Sequence, residues 1–581
     1  MLIKLILLFL TVGQILASSS YVEDGKRAEL FEIMDNEVPT FRVTMSNEKF
    51  AELKVAMQTN KMNMTYVFEN AGSENVLGVT EFEKVKDATM VVEINNTIKE
   101  FNKVSFDIGG NSARSYGRQG FNIKIRDKKK DLYGRTQFRI RSDPRDATFL
   151  RSKLSCDMLN RMGAVSISAG YIKLYVNDEY FGFYVFMDAP KIPWIEQVFG
   201  EKDTTHLYKC KEGFQFLTAY FGPSTCENEN DEVTDHSEFN NLLTFLDNAQ
   251  SVEEIEDIFD VDQFLYLAAF DYLVGAWDHF FHLGHNYSMY KNKDTGKWMM
   301  FYYDFDSDIG QDIVSIEYFN PTPLPNKNYP HYTVREWYNF PLHVQELAIF
   351  ENLPRFETVL AQVVNDVFNP ALLFPHIDEL KEFIRPYILH DRTPDENGIH
   401  PGILNLQNPT DYSMAQWEAN SEFTTINEPS VGSDAYGIKY WILERYRAVC
   451  NHYNLYCDPV YMDENYQYPI DKDVEGEINL GKWDGFDWGM YEIDETDTPA
   501  DAPTDTPIDE PTDEPTIEPT NESTNESANE PTNEPTNEPT NESANEPTNE
   551  PTNESSNESF DIVQWISGIL KSIVSLIKGL F

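Results

Sequence analysis

Basic residues are in short supply in this chain: 46 Lys and Arg stand against 97 Asp and Glu over 581 residues, a formal net charge of −51. That balance repels phosphate backbones and anionic lipid, so nucleic-acid binding is excluded as the default function. Cysteine is scarce as well. The five residues pair naturally as Cys210 with Cys226 and Cys450 with Cys457, which leaves Cys156, inside an apolar helical stretch, as a buried free thiol. The apolar run at the N-terminus, Leu5 to Leu16, is too short to read as a membrane span.

What is present at the ends is a set of address and display segments. MLIKLILLFLTVGQILASSS, with one Lys, an apolar centre and small residues after it, has the build of a secretory signal over residues 1–19. Residues 491–559 hold about twenty acids and no Lys or Arg. From Ala500 they cycle through Pro, Thr, Asn and Glu without aliphatic periodicity, so they have no core to bury and are expected to form a disordered, charged stalk. Asn521, Asn525, Asn541, Asn553 and Asn557 each open an Asn-Glu-Ser sequon there. Residues 560–581 place Ile562, Ile566, Ile569, Ile573, Ile577 and Leu580 on one helical stripe. Two readings stand for this tail: a GPI attachment signal, or an amphipathic helix on a membrane or a partner.

Between these ends, residues 20–480 have the length for one large domain or two fused ones. Runs such as FRVTM, TMVVEI, KVSFDI, FNIKI and TQFRIR make residues 38–145 strand-rich. Ala147–Met162 predicts an amphipathic helix, and YIKLYVNDEYFGFYVFMD predicts two strands around an Asn177-Asp178 turn. Helices dominate from Val252, over Asp262–Ala276, Leu342–Phe350, Phe356–Phe368 and Ile377–Ile388. The expected class is α+β: a β-rich lobe over about 38–190, a helical lobe over about 250–455, and a cleft between them.

The chemistry is expected in Phe264–Gly310. An apolar helix ends near Gly275, and the loop after it carries Asp278, His282, His285 and Asn286. Tyr287–Lys291 and Trp298–Tyr303 predict a hairpin whose pairing sets Asn286 opposite about Tyr303, so that Asp304 returns beside the Asp278 loop. Asp304, Asp306 and Asp308 are too close in sequence to ionise together without a cation, and oxygen ligands of this kind suit Mg²⁺, Mn²⁺ or Ca²⁺. An Asp that orients a hydroxyl, an Asn that holds a metal and an Asp that bridges metal and phosphate are the parts phosphoryl transfer needs.

The sequence here resembles the CotH kinase family of secretory and spore-coat proteins, over about residues 40–455. The likeness is carried by GGNSARSYGRQGFNIKI, FLRSKLSCDMLNRMG, YIKLYVNDEYFGFYVFMD and most specifically AAFDYLVGAWDHFFHLGHNYSMYKNKDTGKWMMFYYDFDSDIG. It implies an atypical protein-kinase-like two-lobed fold using ATP with Mg²⁺ or Mn²⁺. Asp278 would be the catalytic Asp; Asp304, with Asp306 and Asn286, would hold the metal; Lys124, with Arg118 near it, would contact the ATP phosphates. The helix of FLRSKLSCDMLNRMG lacks the Glu that usual kinases pair with their strand Lys, and Asp157 is its one acid.

The expected function is therefore a secretory-route kinase acting on Ser or Thr of secreted or cell-surface proteins. The alternative is a cell-surface ligand for host cells or cell-wall polymers, since some fungal members of the family act so. Rival readings of single features are a structural calcium loop at DFDSDIG, a zinc site at His279, His282 and His285, and a plain surface turn at GGNSARSYG. Asn63 and Asn95 are the expected glycan acceptors of the body, because an active-site Asn286 would be inaccessible to glycosylation.

Overall fold

The computed structural model describes residues 21–59, 82–110, 112–210, 216–220, 222–319, 324, 326–339, 341–409 and 411–478, with two short strands, Lys482–Trp483 and Phe486–Asp487. The expected signal, stalk, apolar tail and Asn63 lie outside the described residues. The chain divides into two units, residues 1–490 and 491–581, and all described residues belong to the first.

The strand-rich run folds as a closed barrel. Its strands are β1 (Thr40–Thr44), β2 (Val85–Ile94), β3 (Thr97–Gly109), β4 (Gly120–Ile125), β5 (Gln137–Arg141), β6 (Ala169–Val176) and β7 (Glu179–Asp188), in the order β1-β2-β3-β4-β5-β7-β6. Closure comes from β1 pairing parallel with β6, and it removes the exposed sheet edges an open sheet would carry. Alternation sets the faces: Phe121, Ile123 and Ile125 of β4 enter the barrel core, while Asn122 and Lys124 point outward. Strand β7 breaks that alternation because both of its faces are buried. Phe181, Tyr184 and Phe186 fill the barrel, and Phe183, Val185 and Met187 join the core beneath the helices. The Asn177-Asp178 turn has φ of +47° and +66°, the left-handed pair that a type I′ hairpin requires.

The helix expected from Ala147 starts at Arg151. Asp146 explains the delay, because its carboxylate accepts from Thr148 N at 2.9 Å and Arg151 N at 3.1 Å and so holds the preceding residues in a turn. Helices Val261–Val274, Leu353–Asp366, Pro370–Asp391 and Ile438–His452 build the second core. Pro370–Asp391 is longer than the expected Ile377–Ile388; Pro370 lies at its first turn and Asn369 Oδ1 accepts from Ala371 N at 3.0 Å, both favourable at a helix start. The helix expected over Leu342–Phe350 is a short α turn, His343–Gln345, followed by a wider π turn, Glu346–Phe350, in which Glu351 N reaches Glu346 O at 2.9 Å.

A second sheet has the order β11-β10-β8-β9, with β8 at Leu207–Cys210, β9 at Cys226–Asn228, β10 at Tyr287–Lys291 and β11 at Trp298–Tyr302. The disulfides join Cys210 to Cys226 and Cys450 to Cys457, and Cys156 is buried and free, as the spacing predicts. Cys210 and Cys226 face each other in the β8–β9 register. Replacing both by Ser is expected to cost about 3 kcal/mol through restored loop entropy in the unfolded chain, measured as a lower urea midpoint under non-reducing conditions.

Candidate active site

Helix Val261–Val274 is started by Asp260, whose side chain accepts from Gln263 N, and stopped by Gly275 in the left-handed region at φ +69°. Glycine is required there, since a Cβ would stand 2.4 Å from Trp441 Cζ2. The loop that follows is pinned from both sides. Trp277 Nε1 donates to Gln311 O at 2.9 Å, and His279 Nε2 donates to Asp304 O at 2.7 Å. A carbonyl can only accept, so that bond fixes the His279 tautomer. Burial also lowers the His279 pKa and keeps the ring neutral.

Asn286 is the link between the two acidic segments. Its Nδ2 donates to Asp278 Oδ1 at 2.9 Å and Asp278 O at 3.2 Å, and its own carbonyl accepts from Tyr303 N at 3.1 Å. Register Tyr287↔Tyr302 continues this pairing. Asn286 and Asp304 both adopt positive φ, +57° and +73°, a cost of order 1–3 kcal/mol each that only surrounding structure sustains. Folding thus brings Asp278, Asn286 and Asp304 to one place. Both protein bonds of the Asn286 side chain come from Nδ2, which leaves its Oδ1 available as an oxygen ligand.

The sequence does not advertise the cations that meet these acids. Arg141 Nη2, from the end of β5, ion-pairs with Asp304 and lies 3.3 Å from Asp306 Oδ2. Arg145 reaches Asp312 at 2.7 Å, Ser307 Oγ at 2.9 Å and Asp306 at 3.9 Å. Burial, then the neighbouring Asp304 carboxylate, pushes Asp306 upward despite both guanidiniums. Asp308 is buried elsewhere, accepting from Ser155 Oγ at 2.7 Å, and is pushed well above the carboxylate range. Asp304 and Asp306 share Arg141 while Asp308 turns to Ser155, so the three acids of DFDSDIG do not converge as a calcium loop requires.

The histidines diverge too. His282 packs on Trp337 and Tyr338, with burial bringing its pKa down to about 3, while His279 serves Asp304. Among the described residues no group of three His, Cys, Asp or Glu encloses a metal-sized point. Asn286 is only 4% exposed, whereas Asn95 lies on the exposed β2–β3 turn, as a glycan acceptor must.

Two further cations flank the acids, and among the described residues neither has a carboxylate partner within 4 Å. Arg139 sits 5.5 Å over one side of the Tyr303 ring, and its Nε is buried with no hydrogen bond. Lys209, from β8, lies 4.5 Å over the same ring. Burial, with Arg139 and Lys191 adding repulsion, brings Lys209 down to about 7. Lys124 is exposed on the outer barrel face, one strand from Arg139, and is also lowered by partial burial and by Arg126, Lys191 and Lys84. A groove beside it is lined by Gly109, Gly110, Ala113, Gly120, Asn122, Arg139 and Arg141, so the GGNSARSYG turn borders the arginines. Asp157 does not supply Lys124 with a partner; it is buried against Lys153, Arg27 and His376.

Arg118 requires a correction. Its guanidinium is buried, 3% exposed, and bonds Asp391 at 2.7 Å, Pro401 O at 3.1 Å and Phe183 O at 3.4 Å, with Asp411 at 3.7 Å. Both of its Nη groups are engaged inside the protein. It ties the barrel to helix Pro370–Asp391 instead.

The protein is thus of α+β class, with hard oxygen donors and cations near one another, a donor set suited to an anionic ligand carrying a divalent metal. A sequence profile for CotH kinase protein matches residues 106–423, more than half of the chain, and the chain belongs to that family. A second profile, for the PT disordered repeat, matches residues 526–559. Invasin CotH3 of Rhizopus delemar is 22% identical over 459 residues, covering 75% of this chain and 69% of the relative. Spore coat protein homolog 1 of the same fungus is 26% identical over 333 residues, covering 55% and 52%. Inner spore coat protein H of Bacillus subtilis is 21% identical over 299 residues, covering 48% and 76%. The Helicobacter pylori proinflammatory kinase CtkA aligns over 47% of this chain and 89% of its own at 10% identity, with a TM-score of 0.21, too low to bear on fold.

Proposed function

We propose that the chain is an atypical, two-lobed protein kinase of the secretory route, transferring the γ-phosphate of ATP to Ser or Thr of secreted or cell-surface proteins. The observation that carries this reading is the Asn286 bridge, which gathers Asp278 and the Asp304 segment near Arg139 and Lys209. Asp278, half-buried and held by one amide, is placed to orient an acceptor hydroxyl. Asp304, Asp306 and Asn286 Oδ1 would hold Mg²⁺ or Mn²⁺, which when bound neutralises charge on the transferred phosphoryl group. Arg141 keeps the acidic pair charge-balanced when no cation is there. Arg139 and Lys209 would receive phosphate oxygens, and Lys124 would steady the same anion from the rim.

A test needs only the purified secreted protein with labelled ATP and Mg²⁺ or Mn²⁺. Phosphate incorporation and a nucleotide-dependent rise in the thermal midpoint are the expected results; absence of both overturns the reading. Lys209 adds a pH signature. Docking of an anion favours its charged form, so nucleotide affinity is expected to fall as pH rises above about 7. Lys209→Arg should flatten that slope, as followed by nucleotide titration across pH.

The names of the Rhizopus invasins favour a second reading, in which the body is a surface ligand for host cells. Under it, the signal and tail would serve display, whether by a GPI anchor or an amphipathic membrane helix. Cell binding by the Asp278→Ala protein, undiminished, would support that reading.

A further inference from the structure

Local charge on the barrel runs against that of the whole. Residues 84–130 hold eleven Lys and Arg against five Asp and Glu, in a chain of net charge −51. Strands β2 to β4 carry these cations on one outer face. Lys86, Lys103, Lys124, Arg126, Lys128 and Lys129 are exposed, and none has a carboxylate within 4 Å among the described residues. Ser105 stands opposite Lys124 in the β3–β4 register, and Arg126 N donates to Lys103 O at 2.8 Å, so the cations of both strands share a strip. Only its margins are neutralised, by Lys84 with Asp107 at 3.4 Å and Lys130 with Asp127 at 3.3 Å. At its inner end, Lys124 lies opposite Gln137 of β5, two residues from Arg139 in the cleft.

We propose that this strip, running from the cleft to the Arg126–Lys130 loop, docks the acceptor, and that the acceptor is an acidic polypeptide whose hydroxyls are interspersed with Asp and Glu. The inference rests on the kinase reading above and names its substrate class. Lys124 and Arg126, two residues apart on one strand, stand about 6.6 Å from each other. That spacing matches carboxylates two residues apart on an extended peptide, as in Glu-x-Glu sequences. The strip is narrow, and the rest of the body is acidic beyond a Debye length of about 8 Å. A single extended chain fits that field; a membrane plane or a duplex would also meet the surrounding carboxylates.

The test titrates the full-length protein into a labelled peptide of Thr-Glu repeats and into its Glu→Gln counterpart, without nucleotide, at low and high salt. The acidic peptide is expected to bind with salt-sensitive affinity and the Gln peptide about tenfold or more weakly. Arg126→Glu with Lys128→Glu and Lys129→Glu, all at exposed positions, should weaken acidic-peptide binding about tenfold or more, with an unchanged thermal midpoint and an unchanged nucleotide-dependent shift. Equal binding of both peptides, wild-type binding by the triple variant, or capture by phosphatidylserine vesicles without peptide binding would each overturn the proposal. Peptide binding with no nucleotide-dependent shift would retain the docking surface and remove the kinase reading, so the two failures are distinct.

Discussion

Asp278→Ala is expected to lower ATP-dependent phosphate transfer by about 10²–10⁴-fold while leaving nucleotide binding and the thermal midpoint close to wild type. The side chain is only half-buried, and its one side-chain partner, Asn286 Nδ2, keeps a second bond to Asp278 O at 3.2 Å. Loss should therefore fall on kcat rather than on KM for ATP. Asp304→Asn should behave differently, because it removes a proposed metal ligand and the ion pair with Arg141 together. Its expected signature is a higher metal requirement as well as slower transfer, seen by titrating Mg²⁺ at fixed ATP. A folded Asp278→Ala protein with full transfer would remove Asp278 from the chemistry.

Arg118→Ala is expected to destabilise the protein by about 3–5 kcal/mol, the usual effect of stripping one member from a buried ion pair. Asp391 would remain fully buried, with Tyr180 OH at 2.6 Å, Phe183 N at 2.9 Å and His390 Nδ1 at 3.3 Å as its remaining partners. Asp411 would keep Arg392 and His400, which with Arg118 hold it at about 2 against the upward push of burial. Stability should also decline at low pH as Asp411 protonates, because a depressed folded pKa contributes stability that is lost as pH falls through it. Arg118→Lys should recover part of the loss and bind nucleotide normally, measured by denaturant midpoint and nucleotide titration. A selective loss of nucleotide affinity in a folded Arg118→Lys protein would reinstate Arg118 as a phosphate ligand.

The hairpin and its neighbours were legible because the information is local. NKDTGK between two aromatic strands fixes the turn, the turn fixes the register, and the register carries Asn286 to Tyr303. The type I′ turn at Asn177-Asp178 and both disulfides were readable for the same reason. Arg118 was set beside Lys124 by the family resemblance, and nothing local in its sequence signals burial. In the fold, glycines far away make room for it: a Cβ at Gly182 would meet its Nη1 at 2.4 Å, and one at Gly402 at 2.2 Å. Such long-range accommodation leaves no local mark.

The cations of the cleft were missed for a related reason. QFRIR does alternate, with Phe138 and Ile140 entering the barrel and Arg139 and Arg141 facing out. That pattern marks an outward basic face, but which acids it meets depends on how barrel and helices pack. Lys209 comes from β8, an inner strand of the second sheet, some distance in sequence from the Asp304 segment, and nothing in LYKC sets it apart. The early start of helix Pro370–Asp391 was obscured by Pro375, since proline ordinarily discourages a helix interior.

The most direct measurement is a crystal structure with Mn²⁺ and a non-hydrolysable ATP analogue, located by anomalous scattering. The expected result is a metal peak on the Asp304 carboxylate and Asn286 Oδ1, with phosphate oxygens on Arg139 and Lys209 and Asp278 facing the terminal phosphate. A nucleotide bound elsewhere, with Asp304 still paired to Arg141 and no metal beside Asn286, would contradict the assignment.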